Sequence, residues 1–189
     1  MATTNDVGNI LSGATGSGTF VGATSPTLVT PTLGAASATS LTFSSTTGVV
    51  GTTTNNNAAS GSVGEYVTSS VLLASAISLS TTTAADVTSI SLTAGDWDIF
   101  GNVTFTPGAT TVVASIFAWV STTSATKPDN SLVDGVTFAA SYVPGQFGTM
   151  TPMLRVSISG TTTVYLSCVG TFTTSTLTAC GSIFARRTR

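Results

Sequence analysis

The sequence predicts an all-β protein in which an extended N-terminal arm precedes an antiparallel β-sandwich head of the jelly-roll type. Three observations lead to this fold class. Short runs of β-branched and aromatic residues follow one another from about residue 62 onward, Gly, Pro, Asn and Asp separate them, and no stretch combines helical periodicity with caps. Eight or nine strands at this spacing are typical of a sandwich or jelly roll.

Alternation of apolar and polar residues is clearest between residues 87 and 105. One run covers 87–92, and a second covers 97–105 with Gly101 in its middle, where we expect a bulge or bend. The other predicted strands cover 66–73, 76–79, 112–120, 136–143, 153–158, 164–172 and 177–185.

The last two runs predict a hairpin whose connection covers Thr173 to Ser175. With the turn centred near residue 174, Cys168 faces Cys180 across the paired strands. The sequence leaves two interpretations open for this pair. The thiols are either small buried side chains, or they form a disulfide after the protein leaves the cell.

Residues 1–61 form the predicted arm, and residues 62–189 form the head. The arm is rich in Gly, Thr, Ser and Ala, and its prolines exclude a helix. Its few large apolar residues cannot offset an ordering entropy of about 1–2 kcal/mol per residue, so the arm needs a partner surface. The residues that we expect to make this contact are Phe20, Val21, Pro26, Leu28, Pro31 and Leu33.

Composition narrows the class of partner. Only 6% of the residues are charged and the net charge is −2, so the surface suits packing against identical neighbours with little charge to desolvate. The lack of basic clusters argues against nucleic acid, and no apolar run approaches the roughly 18 residues of a membrane span. We therefore expect neither nucleic-acid binding nor membrane insertion.

Catalytic chemistry has few candidates in this chain. The absence of histidine removes the commonest general base and metal ligand, and the two cysteines lack metal-ligand spacing. We expect no enzymatic activity, no cofactor and no metal. The remaining catalytic alternative is a polysaccharide depolymerase that uses Asp96 and Asp98, two carboxylates on one face of a strand.

Four residues are predicted to contact a receptor. Tyr142 and Phe147 flank a Pro-Gly loop, where aromatic side chains are exposed more often than in strands. Arg186 and Arg187 belong to a basic C-terminal tail, which binds anionic surface glycans or pairs with acidic residues of a neighbouring subunit. The sequence leaves these two roles open.

Several segments resemble small fibre proteins of tailed bacteriophages. They are GTFVGATSPTLVTPTLG (18–34), ATSLTF (38–43), GEYV (64–67), SISLTAGDWD (89–98), TTVYL (162–166) and ARRTR (185–189). The resemblance implies a homotrimer in the virion, assembled in the bacterial cytoplasm. Its arm would bind other virion proteins of the tail or capsid, and its head would be exposed to a host-surface glycan or protein. The alternative is a capsid decoration or cement protein of the head-fibre type.

Overall fold

The computed structural model describes residues 40, 42, 53–142 and 145–189, with the backbone alone for 139–142. Thr53–Arg189 form one compact unit. Two antiparallel sheets pack as a sandwich, which confirms the predicted fold class. Within the described ranges no helix is long and apolar enough to cross a membrane. The predicted boundary between residues 61 and 62 stays a prediction.

Ten strands, in chain order, build the described part of the sandwich. They are β1 (Tyr66–Val71), β2 (Ile77–Ser78), β3 (Ala85–Leu92), β4 (Gly95–Pro107), β5 (Val112–Ser121), β6 (Val133–Tyr142), β7 (Phe147–Met150), β8 (Leu154–Ile158), β9 (Thr162–Thr173) and β10 (Leu177–Arg187). Two short 3-10 turns, Leu73–Ser75 and Asn130–Leu132, lie between strands.

The strand order is that of a jelly roll. The first sheet has the order β1-β10-β4-β7, with β2 also paired to β10 and β8 also paired to β4, and the second has the order β3-β9-β5-β6. Four nested antiparallel pairings run outward from the centre of the chain: β5 with β6, β4 with β7 and β8, β3 with β9, and β1 with β10. Such nesting is a long hairpin rolled into two sheets, the double-sheet arrangement of jelly rolls.

Apolar side chains at alternate positions of both sheets form the core between them. In β4, Trp97, Ile99, Val103 and Phe105 are fully buried, and they pack with partners from the second sheet such as Leu166. Each large apolar side chain buried in this way stabilises the fold by about 1.5–3 kcal/mol. The alternation in the sequence therefore corresponds to the two sides of each strand.

The bulge predicted at Gly101 is absent from the pairing of β4 with β10. The pairing of β4 with β10 runs from Trp97 opposite Arg187 to Pro107 opposite Leu177 without a register shift. Gly101 points toward the core, where an added Cβ would lie 2.7 Å from Cδ1 of Leu166. The glycine therefore makes room for a core side chain of the facing sheet.

The predicted hairpin of the last two strands is also wrong. The turn lies where we expected it, with Thr174 at a φ of 80°, but β9 belongs to the second sheet and β10 to the first. Cys168 lies opposite Ala118, and Cys180 lies opposite Thr104. Both thiols are free and buried, as the first of the two interpretations expected, and burial raises the pKa of Cys168 to about 12.

Strand β7 was not among the sequence predictions. It has four residues, one of them Gly148, and its alternation is too short to be recognised. It forms because Phe147 to Met150 pair with Phe105 to Asn102 of β4. An edge strand of this kind depends on the neighbour that it pairs with more than on its own propensity.

Two glycines of the first sheet give a matched test of the packing. A Cβ at Gly181 would overlap the backbone oxygen of Asn102 in the neighbouring strand, whereas a Cβ at Gly148 would have no atom within 4 Å. We expect Gly181→Ala to lower the free energy of unfolding by about 3 kcal/mol or more. Gly148→Ala should change it by less than about 0.5 kcal/mol. Urea denaturation measures both, and equal effects would contradict the β4–β10 register.

Candidate binding surface

Three aromatic rings form a row on the outer face of the first sheet, which we call the aromatic row: Tyr66, Phe184 and Phe100. The rings of Phe184 and Phe100 are stacked with centroids 5.2 Å apart, and those of Tyr66 and Phe184 are 6.3 Å apart. Tyr66 is 41% exposed and Phe100 is 37% exposed. Large apolar side chains grouped on a protein surface commonly mark an interaction site.

Strand alternation explains why these rings face outward. Ile183 and Ala185 of β10 point into the core, so Phe184 between them points away from it. In the same way Phe100 follows the buried Ile99, and its partner across the strands is Phe184. The sequence signal was therefore present, as an aromatic residue at the outward positions of two strands. Our sequence analysis missed it because it did not pair β4 with β10.

A groove of about 410 Å³ lies beside the aromatic row, where β7 pairs with β4. We call it the β4–β7 groove. Phe100, Phe184 and Met150 give it apolar walls, and Met150 is 62% exposed. The described residues that line it are Phe100, Asn102, Val103, Thr104, Gly148, Thr149, Met150 and Phe184. None of these is charged.

Two polar side chains in the β4–β7 groove have free hydrogen-bonding capacity. The Asn102 carboxamide and the Thr104 hydroxyl make no hydrogen bond to any other residue that the structure describes. Thr149, by contrast, donates its hydroxyl proton to the Asp134 carboxylate. Opposite Thr104 stands Gly148, which has no side chain to cover it. A ligand in the groove could therefore reach both Asn102 and Thr104.

The outer face of the second sheet is covered where β5 meets β6. The segment between these strands folds back over it, with the Lys127 ammonium 4.6 Å from the centre of the Phe117 ring. Asp86 accepts hydrogen bonds from the Ser124 hydroxyl and the Ala125 amide, which hold the same segment down. Trp119 beneath it is fully buried. Among the residues that the structure describes, the two outer faces therefore differ, and Tyr66 and Phe100 of the aromatic row are exposed on the other one.

Asp96, one of the two carboxylates of the depolymerase alternative, is buried in an ion-pair cluster. It is 3% exposed, and its Oδ2 lies 2.7 Å from Nε of Arg189 and 3.4 Å from a nitrogen of Arg155. A hydrogen bond with Ser157 and these two arginines hold its pKa below the ordinary value. Asp96 is thus kept ionised and paired at the end of the sheet.

Arg187 is not available as a receptor contact, which corrects the sequence prediction. It is 4% exposed, and its Nε lies 2.8 Å from Oε2 of Glu65. Its other nitrogens donate to the carbonyl of Ala94 and the hydroxyl of Thr93, and its guanidinium lies 4.3 Å from the centre of the Trp97 ring. Residue 187 is one of the alternate positions of β10 that face the core, so this arginine closes one end of the core.

The remaining predicted contacts are placed differently from one another. Arg186 is exposed and lies opposite Tyr66 on the outer face. Phe147 is only partly exposed, because its ring packs on Phe138 with centroids 5.4 Å apart. Tyr142 ends β6, and its side chain lies outside the described residues. So do the predicted arm contacts Phe20, Val21, Pro26, Leu28, Pro31 and Leu33.

Comparison with known proteins gives no family for this chain. No protein-family model matches it, and no curated protein matches it. One solved chain, from the structure of infectious bursal disease virus Gx strain, is similar with a TM-score of 0.36 and 12% sequence identity. The match covers 74% of this chain and 37% of that chain. Similarity at this level carries no argument about function.

Metal binding finds no support in the residues that the structure describes. They contain no group of three or more Cys, Asp or Glu side chains placed to hold an ion.

The buried Arg187–Glu65 pair should be one of the strongest polar contributions to stability. Arg187→Met removes the guanidinium and leaves a buried carboxylate without its partner, which costs about 3–5 kcal/mol. Arg186→Met is the matched control, because that side chain is exposed, and its effect should be within about 0.5 kcal/mol. Urea denaturation at neutral pH compares them. Similar losses in both variants would show that Arg187 is not buried as described.

Glu65 should make stability depend on pH. Hydrogen bonds from the Gly61 amide and from Arg187 hold its pKa below the ordinary value of 4.5. The folded-state pKa is thus lower than the unfolded one, so the stabilisation is complete above pH 4.5 and is lost as the pH falls through the folded value.

Glu65→Gln should therefore be less stable than the wild type at about pH 6, and the difference should shrink toward about pH 3. Denaturation midpoints measured across this range test it. A difference that stays constant with pH would show that the carboxylate carries no special stabilisation.

Proposed function

We propose that this chain is a non-enzymatic structural protein of a bacteriophage virion. In this role it is a homotrimeric fibre whose N-terminal arm anchors it to other virion proteins and whose jelly-roll head is presented to the host surface. The proposal includes neither a cofactor nor a nucleic-acid partner, and no insertion into a membrane. It places the protein in the virion after assembly in the bacterial cytoplasm.

The observation that carries the proposal is the open outer face of the first sheet. Monomeric soluble proteins rarely leave a grouped set of large apolar side chains uncovered unless the surface binds something. Here Tyr66, Phe100 and Met150 are exposed on one face, while the segment around Lys127 covers part of the other. A head that binds through one face fits an attachment role.

Two further features support it. The chain has few charges, which favours close packing with identical copies in a fibre, because ionic groups need not be desolvated. Jelly rolls recur in viral capsid proteins and lectins, although a shared fold is an analogy and does not fix a function.

The ion-pair cluster around Asp96 supports the non-enzymatic part of the proposal. A general acid in glycoside hydrolysis needs a raised pKa, so that it carries a proton near neutral pH. The pKa of Asp96 is lowered, and its carboxylate is engaged by Arg155 and Arg189. An ionised carboxylate could still act as the nucleophile or base, but Asp96 is buried and its oxygen is occupied by these two arginines. Asp98 by itself does not supply the two carboxylates that the reaction requires.

Immunogold electron microscopy of intact virions tests the role directly. With antibody against residues 62–189, we expect gold at the tail if the chain is an adsorption fibre. Gold over the capsid would favour the decoration alternative. Deletion of the gene would then test that alternative, which predicts a loss of capsid stability without a loss of adsorption. Virions without gold, in a preparation where a known capsid protein is labelled, would contradict the proposal.

A further inference from the structure

The β4–β7 groove has the size of a small-molecule site. Its volume of about 410 Å³ lies within the roughly 300–1,000 Å³ of typical ligand pockets. Phe100 is the ring of the aromatic row nearest to β7, and with Met150 it gives the groove apolar sides. Asn102 and Thr104 occupy the next outward positions of β4 after Phe100, opposite Met150 and Gly148 of β7.

This combination matches the two-sided chemistry of a sugar. A pyranose ring presents C–H groups on its faces and hydroxyl groups around its edge. Aromatic and methionine side chains contact the first, while a carboxamide with two donors and an acceptor binds two adjacent hydroxyls at once. The Thr104 hydroxyl adds one more donor and acceptor.

The surrounding charges indicate a neutral sugar. The lining contains no charged side chain, and the neighbouring cations are engaged elsewhere or lie outside it. Arg155 and Arg189 pair with Asp96, and Arg187 is buried against Glu65. Arg186 is two residues from Phe184 along β10 and does not line the groove. An anionic glycan would therefore gain no ion pair in the groove.

A second copy of the chain is a poorer occupant of the same groove. An apolar protein face pressed against it would bury the Asn102 carboxamide and the Thr104 hydroxyl without partners, an arrangement that folded proteins avoid. A hydroxyl-bearing ligand satisfies both groups and still covers Phe100 and Met150.

We infer that the β4–β7 groove binds a neutral saccharide unit of the host-cell surface, with Asn102 and Thr104 holding its hydroxyls against Phe100 and Met150. The inference rests on the proposed attachment function and adds the class of receptor and the residues that recognise it.

The experiment measures binding of the labelled full-length chain to cells of the phage's host. Cells are tested untreated, after periodate, which cleaves sugars at adjacent hydroxyls, and after protease. Surface polysaccharide from the same cells is separated by anion exchange into a neutral and an acidic fraction, and each fraction is used as competitor. We expect periodate to abolish binding, protease to leave it unchanged, and only the neutral fraction to compete.

Three substitutions locate the site. Asn102→Ala and Thr104→Val should each weaken binding by about five- to tenfold, which corresponds to the loss of one or two hydrogen bonds. Gln146→Ala is the matched control, because this exposed carboxamide bonds to Thr106 outside the groove and should leave binding unchanged. Circular dichroism confirms that all three variants are folded.

The other possible results overturn either the saccharide inference alone or the proposed attachment function as well. Binding that is protease-sensitive, or competed only by the acidic fraction, would overturn the inference and leave attachment standing. Unchanged binding in both groove variants would do the same. A fall in oligomer mass in Asn102→Ala would identify the groove as a subunit interface and also overturn the inference. No binding to host cells at all, with gold located away from the tail, would reject the proposed attachment function itself.

Discussion

The register of β10 in the first sheet is the constraint on which the rest of the structure depends. This strand lies between β1 and β4, and its alternation sends Ile183 and Ala185 inward and Phe184 and Arg186 outward. A slip of one residue would bury Arg186 and turn the core side chains to solvent. Two contacts oppose that slip: the close approach of Gly181 to the Asn102 backbone, and the insertion of Arg187 between Glu65 and the Trp97 ring.

The binding surface follows from that register. Phe184 meets Phe100 because their strands are paired at those positions, and Tyr66 joins them from the other neighbour of β10. On the far side of β4, the short strand β7 places Met150 opposite Asn102 and Gly148, which has no side chain, opposite Thr104. Few ionic groups are present, and the buried ones, Glu65, Asp96 and Arg187, occupy one end of the sandwich. The groove is therefore an uncharged surface beside a charged cluster.

Local pattern accounted for most of the strands and little of the site. The turn near residue 174 lies where its residues placed it. Phe147 and Arg187 were chosen as exposed contacts, and they lie partly and fully in the interior. The error at Arg187 came from judging a residue by its neighbours in the chain, since Glu65 pairs with it from a distant part of the sequence.

The sequence by itself determined the β class and the approximate extent of most strands, because alternation and turn residues act over a few neighbouring positions. The tertiary structure alone decided which strands pair. In a rolled hairpin the partners are far apart, as with Tyr66 and Arg186, and consecutive strands such as β9 and β10 lie in opposite sheets. The β4–β7 groove is likewise decided by the tertiary structure, because it exists only where long-range pairing brings β4 and β7 together.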